Sequence, residues 1–235
     1  MRRRHLTPPR TLGLALLFPL LLAACQSAPP RAALPGPAGA PAALPSAPRY
    51  VVDPQASEIR VLVYRSGPLG RFGHDHVIVG RVQGEVRAGE SAAASGFRLE
   101  IPVASFEVDP PAARAEEGPD FAEPVSAQAR AGTRENMLGS AVLDAARYPL
   151  IRIESIALAG PRWGPTVTAR VTLRGVTREL RFPAAVFQSG NALTVIAAFR
   201  LTQSDFGIVP YSILGGGLRV RDVLEVRIRI VAHRA

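Results

Sequence analysis

The sequence predicts an all-β protein whose antiparallel sheet curls on itself. Two observations carry that reading. From about residue 57 to the C-terminus, apolar and polar residues alternate with period two in segment after segment, and Gly, Pro, Asn and Asp punctuate the joins. One apolar face per strand means one buried side, and a long antiparallel sheet that closes leaves no unpaired edge in water.

The strands follow in order. SEIRVLVYR places Ile59, Val61 and Val63 on one face. In RVQGEVR, Val82 and Val86 flank Gly84, with Gln83, Glu85 and Arg87 opposite. GFRLEIPV turns Phe97, Leu99, Ile101 and Val103 to one side and Arg98 and Glu100 to the other. LIRIES, TVTARVTLRG, ELRFPAAVF and NALTVIAAFRLT continue the alternation, and VLEVRIRIVA closes the chain with Leu224, Val226, Ile228 and Ile230 in phase. Arg174-Gly175 between Leu173 and Val176 reads as a hairpin turn. Asp53-Pro54 with Ser57, and Ser204-Asp205, read as turns in which short polar side chains bond nearby backbone N–H groups.

One region breaks the rule. Residues 107–148 show no period-two run, and SAQARAGTRENMLGS and SAVLDAARYP have the composition of short helices. A helical insertion of this size between two strands either borders an opening or packs as a plain structural element.

The N-terminus is of another kind. MRRRHLTPPR is basic, TLGLALLFPLLL is an apolar stretch of twelve, and LAAC follows. This is the shape of a secretory signal peptide (residues 1–24), too short for a transmembrane helix. Small residues before a cysteine resemble the lipobox of bacterial lipoproteins, in which Cys25 is lipidated and becomes the mature N-terminus. Each buried CH₂ of an acyl chain contributes about 0.8 kcal/mol to anchoring, so the protein is expected in the cell envelope, facing the periplasm or at the outer membrane. Gln26 after the cysteine, in place of a retention-type aspartate, favours the outer membrane. Residues 25–48 form a tether with seven prolines among small residues, extended and semi-rigid, reaching up to roughly 70 Å at about 3.1 Å per residue. The folded domain is then 49–235. All 28 basic residues are arginine, against 19 acidic ones, for a formal charge of +9. They alternate singly with apolar residues and do not cluster with aromatics, which argues against nucleic acid as a partner. Oligomeric state has no signature in this sequence.

RFGHDHVIVGRVQG, residues 71–84, holds two of the four histidines. In an extended strand His74 and His76 share a face, about 6–7 Å apart at Cα, while Asp75 points away. Three readings stay open: side chains satisfying a turn, a polar mouth of His74, Asp75 and His76 that hydrogen-bonds the head of an amphipathic ligand, or a metal or redox centre on His74 and His76. A divalent metal would need a third ligand from a distant carboxylate such as Glu135, Asp144, Asp205 or Asp222. No GxSxG elbow, HExxH helix, phosphate loop or cysteine nucleophile points to an enzyme, and no catalytic residue is assigned.

Several segments together resemble the YceI-like family. YVVDPQASEIRVLV is similar to its opening strand, TRENMLGSAVLDAARYPLIRIES to its R-[DE]-x-x-L…D…YP segment, VTLRGVTREL to its L-T-[LI]-R-G-V-T motif and LTQSDFGI to its [RQ]-S-D-F-G turn, in order from about residue 50 to 232. The resemblance implies an eight-stranded antiparallel lipocalin-like barrel with a small helical lid and a long apolar cavity for a polyisoprenoid or similar lipid, with no resident cofactor. Such a barrel either encloses one ligand or fills with side chains; the resemblance implies the slot. The inner faces offer Phe72, Phe97, Leu99, Phe106, Met137, Leu138, Phe182, Phe199 and Phe206 as cavity candidates, and Phe187 among the inward phenylalanines. This chain departs from the commoner family pattern in two places. Met137 stands where a histidine is common, and the GHDH segment replaces F-x-x-F-x-G, so a GHDH-bearing subset is the nearer likeness.

Overall fold

The computed structural model describes residues 43–235, so Cys25 and all but the last residues of the tether lie outside the described part. Strands β1 (Arg49–Val52) and β2 (Glu58–Val63) make one interrupted stave, followed by the short β3 (Arg65–Ser66). β4 (His76–Arg81) and β5 (Gln83–Arg87) make the second stave, and β6 (Gly96–Pro102) with β7 (Glu107–Val108) the third. The helices α1 (Pro111–Ala115) and α2 (Ala127–Leu138) come next. Then β8 (Leu150–Ala159), β9 (Thr166–Leu173), β10 (Val176–Ser189) and β11 (Ala192–Thr202) run up and down, β12 (Ser212–Ile213) and β13 (Leu218–Val220) form a side ribbon, and β14 (Val223–Arg234) ends the fold.

Every stave pairs antiparallel with its neighbours, and β14 closes the ring on both β1 and β2, giving an eight-stranded barrel. Closure spans an irregularity. Tyr50 to Val52 pair with β14 at Arg234 to Ala232, and Glu58 to Leu62 pair with it at Arg229 to Glu225. The residues between leave the ladder. Asp53 Oδ1 accepts from Gln55 N, the expected turn chemistry. Ser57 does something else: its hydroxyl donates to Val231 O at 3.1 Å and accepts from Val231 N at 2.9 Å, standing in for the missing strand.

The expected inner faces are inner. Ile59, Val82, Leu99, Ile101, Val103, Val226, Ile228 and Ile230 are all buried in one core cluster. Gly84 allows the second stave to bend: its φ is +138°, and a Cβ there would lie 2.1 Å from Arg98 O. Arg174 and Gly175 both have positive φ, 51° and 74°, as a tight two-residue hairpin between β9 and β10 requires.

Three expectations are corrected. SAVLDAARYP is not helical. After α2 ends at Gly139, residues 140–148 fold back in successive turns, with Leu143 N bonding Met137 O and Tyr148 N bonding Asp144 O. Phe187 faces outward, 59% exposed, because β10 presents Val186 and Ala184 to the interior instead. At Ser204-Asp205 the turn is held by Asp222, which accepts from the Ser204 backbone N–H at 2.8 Å and from its hydroxyl.

The barrel has two ends. β2, β4, β8 and β11 place the loops around 64–75, 139–149 and 203–222 at one end with α2; the 190–191 turn and the two chain termini of the barrel lie at the other. The last tether residues lie along that second end: Pro48 O accepts from Ala88 N, and Pro45 packs over Gly96.

Candidate functional site

A cavity of ≈ 430 Å³ occupies the barrel beneath α2. Its wall is the in-phase face of the strands, including Ile59, Val61, Val63, Ile78, Ile151, Val171 and Val226. Ala129, Thr133, Asn136 and Met137 of α2 close one side, a spacing of four, three and one that puts them on one helix face. A smaller void of ≈ 90 Å³ lies toward the tether end. Phe199 lines the first and Phe182 the second, and the two rings stack with centroids 4.5 Å apart, so this pair stands between the spaces.

The predicted cavity residues divide accordingly. Phe72, Phe106, Met137 and Phe199 line the large cavity, while Phe97, Leu99 and Phe182 line the small one. Leu138 and Phe206 line neither: Leu138 packs half-buried against the core, and Phe206 is core at 1% exposure, carried inward by the turn after β11. Phe72 is 66% exposed, which puts it on the lip; Ile213 of β12, also in the lining, is exposed there as well.

His74, just before β4, and His76, its first residue, both line the cavity, with ring centroids 6.4 Å apart. Asp75 does point away and is not part of the lining. Its carboxylate is buried and accepts the Arg65 backbone N–H at 2.7 Å. Behind the pair lies a network that the sequence reading missed. Asp109, whose side chain is 0% exposed, takes His76 Nδ1 at 2.7 Å on Oδ2; on Oδ1 it takes Val77 N at 2.9 Å and Arg114 Nη1 at 2.6 Å. Arg114 also donates to the carbonyls of Asp75 and Glu123, each at 2.8 Å. Burial alone would push the Asp109 carboxyl up. The His76 hydrogen bond, the Val77 N–H, the neighbouring imidazole charge and Arg114 outweigh it, and the carboxyl is held below the usual aspartate range. An ionised carboxylate only accepts, so His76 Nδ1 carries a proton. The other ring nitrogen, Nε2, has no hydrogen-bond partner among the described residues and is the one left to the cavity.

Asp109 had little signal in the sequence. It stands 33 positions from His76 in a stretch with no strand periodicity, and only its position before Pro110-Pro111 marks it as a turn residue. Nothing in one sequence links those two places.

The remaining polar lining is basic or neutral. Arg65 donates to Gly73 O at 2.6 Å and lies 3.9 Å from Asp75; Arg219 has no ion-pair partner among the described residues; His74 Nδ1 is buried without a hydrogen bond, 4.0 Å from Glu123. As a metal centre the pair lacks a third protein ligand among the described residues. No group of three or more His, Cys, Asp or Glu side chains is assembled among the described residues, and Glu135, Asp144, Asp205 and Asp222 do not join the histidines. His76 already spends one nitrogen on Asp109.

Comparison with known proteins gives the same answer as the topology. The YceI-like domain model matches residues 50–232. Among solved structures, BcnA of Burkholderia cenocepacia superposes with a TM-score of 0.56 at 19% identity, covering 77% of this chain and 98% of that one, a likeness of fold. The YCEI protein of Campylobacter jejuni gives a TM-score of 0.48 at 12% identity, covering 66% of this chain and 81% of that one. No match is found among curated proteins. With the family model spanning nearly the whole barrel, and the barrel built as that match requires, this chain belongs to the YceI-like family.

Proposed function

We propose that this protein is a lipid-anchored carrier of the bacterial cell envelope that holds one long apolar or amphipathic molecule, an isoprenoid or another lipid, without catalysing a reaction. The observation that carries the reading is the ≈ 430 Å³ cavity lined by valine, isoleucine, leucine and phenylalanine, within the range of about 300–1,000 Å³ found for small-molecule sites. Burying roughly 200 Å² of ligand hydrocarbon there, at about 25 cal/mol per Å², supplies about 5 kcal/mol. The anchor rests on the LAAC segment at Cys25, and the proline-rich residues after it supply the reach from the membrane.

Native mass spectrometry of the full chain, produced with its own N-terminus in a bacterial envelope, tests both halves. A carrier retains an organic adduct that dissociates as a lipid, keeps it in the His74→Ala variant, and moves from the membrane to the soluble fraction in Cys25→Ser. A chain that purifies with no organic adduct and takes up no added prenyl alcohol or fatty acid is not a lipid carrier.

A further inference from the structure

We propose that the molecule held in the large cavity has an anionic head, a phosphate or a carboxylate, seated at the mouth against Arg219, Arg65 and the Nε2 edge of His76. This inference rests on the carrier reading and narrows it.

Among the described residues no carboxylate lines this cavity; every ionisable lining side chain except Tyr211 is an arginine or a histidine, namely Arg65, His74, His76 and Arg219. These four come from two neighbouring stretches. Residues 65–76 and the β12–β13 ribbon are tied together by the β3–β13 pairing of Ser66 with Arg219 and by the Leu69 N–H bond to Gly217 O. The basic groups therefore sit at one end of the cavity, and the hydrocarbon lining fills the rest. That is the polarity of a single-chain amphiphile lying with its head toward solvent.

The acids that approach these bases are not part of the cavity lining. Asp75 is buried with its carboxylate on the Arg65 backbone, Asp109 lies under His76 and is shared with Arg114, and Glu123 stands 4.0 Å from the buried Nδ1 of His74. From the cavity side, a ligand meets N–H groups. A phosphate or carboxylate accepts from such groups without donating, and charge-assisted bonds of this kind are roughly twice as strong as neutral ones. His76 Nδ1 is engaged by Asp109, so Nε2 is the ring edge turned to the cavity, where it can meet a ligand oxygen. Arg219 is exposed and has no other ion-pair partner among the described residues, so it is the most available of the four. A ligand with a neutral hydroxyl or quinone head would gain less from this arrangement.

The test is isothermal titration of the delipidated full chain with two pairs of probes: farnesyl phosphate against farnesol, and palmitate against methyl palmitate. Within at least one pair the anionic member is expected to bind about tenfold more tightly, the increment of one charge-assisted hydrogen bond. That preference shrinks on raising the salt and falls to within a few-fold in Arg219→Gln, whose exposed position leaves the barrel intact. Which pair shows the preference tells phosphate from carboxylate. Equal or tighter binding of the neutral members, or an unchanged preference in both Arg219→Gln and Arg65→Gln, overturns the anionic head while leaving the carrier standing. Binding of no member of either pair removes the carrier reading, and this inference with it.

Discussion

Asp109 is the residue whose replacement reports most on the site. Asp109→Asn keeps the side-chain shape and suits a backbone position with φ of 51°, which asparagine tolerates. The amide oxygen can still take Val77 N and Arg114 Nη1, but the charge opposite Arg114 is gone. Removing one member of a buried ion pair costs about 3–5 kcal/mol. Arg114 keeps the Asp75 and Glu123 carbonyls, so the lower end, about 3 kcal/mol, is expected. The second effect is on His76. The asparagine NH₂ now faces Nδ1, which must become an acceptor, so the ring proton moves to Nε2 on the cavity side. Urea unfolding of the full chain measures the first effect, and nitrogen-15 imidazole spectra measure the second. The pH dependence has a definite sign. A folded pKa below the unfolded value means that the Asp109 contribution is complete above about pH 4 and is lost as the pH falls through the lowered value, so wild type and variant converge only in acid. A loss under about 1 kcal/mol at neutral pH, or a His76 ring still protonated at Nδ1 in the variant, would refute the network as described.

Two further substitutions separate the fold from the cavity. Ser57→Ala removes the hydroxyl that bridges Val231 N and O at 3% exposure; Val231 O keeps the Asp53 N–H, but the Val231 N–H loses its partner, which should cost about 1–3 kcal/mol by thermal or urea unfolding without changing ligand affinity. Phe199→Ala removes one ring of the stacked pair between the two voids. It should cost about 3 kcal/mol, the low end for a phenylalanine that already faces open space, and shift the best-binding fatty acid to a longer chain by titration.

The barrel was legible because period two is a local property. Each of Val61, Val63, Leu99, Ile101, Val226 and Ile228 declares its side of the sheet from its immediate neighbours. Where the backbone leaves the strand, local pattern loses its grip. SAVLDAARYP has helix-forming composition, yet the turn after Gly139 and the positive φ of Asp144 fold it back on α2. Phe187 is a misreading of phase within a strand: Phe182, Ala184 and Val186 point inward, so period two itself turns Phe187 to water. Asp109 and Arg114 were invisible for a different reason: their role exists only once the insertion lies beside β4, and a lone sequence holds no record of that contact.

Whether the barrel is hollow follows from the same logic taken one level up. Eight staves fix a radius that side chains can either fill or leave open, so alternation alone cannot decide. Size along the axis does. Toward the tether end Phe97, Phe182, Leu99 and Ile230 crowd the interior and leave only ≈ 90 Å³. Toward the mouth the lining positions on two neighbouring staves, β2 and β14, include Val61, Val63 and Val226, short side chains that leave the interior open. The helix over this end could have filled the gap. α2 does not, because none of its twelve residues is buried, and the face it offers the cavity is Ala129, Thr133, Asn136 and Met137. A helix that packed for stability alone would bury leucine or phenylalanine there. Thr133 and Asn136 instead leave a mixed wall beside the basic mouth, so the helix bounds the cavity without plugging it, and the stability it forgoes is open volume inside the barrel.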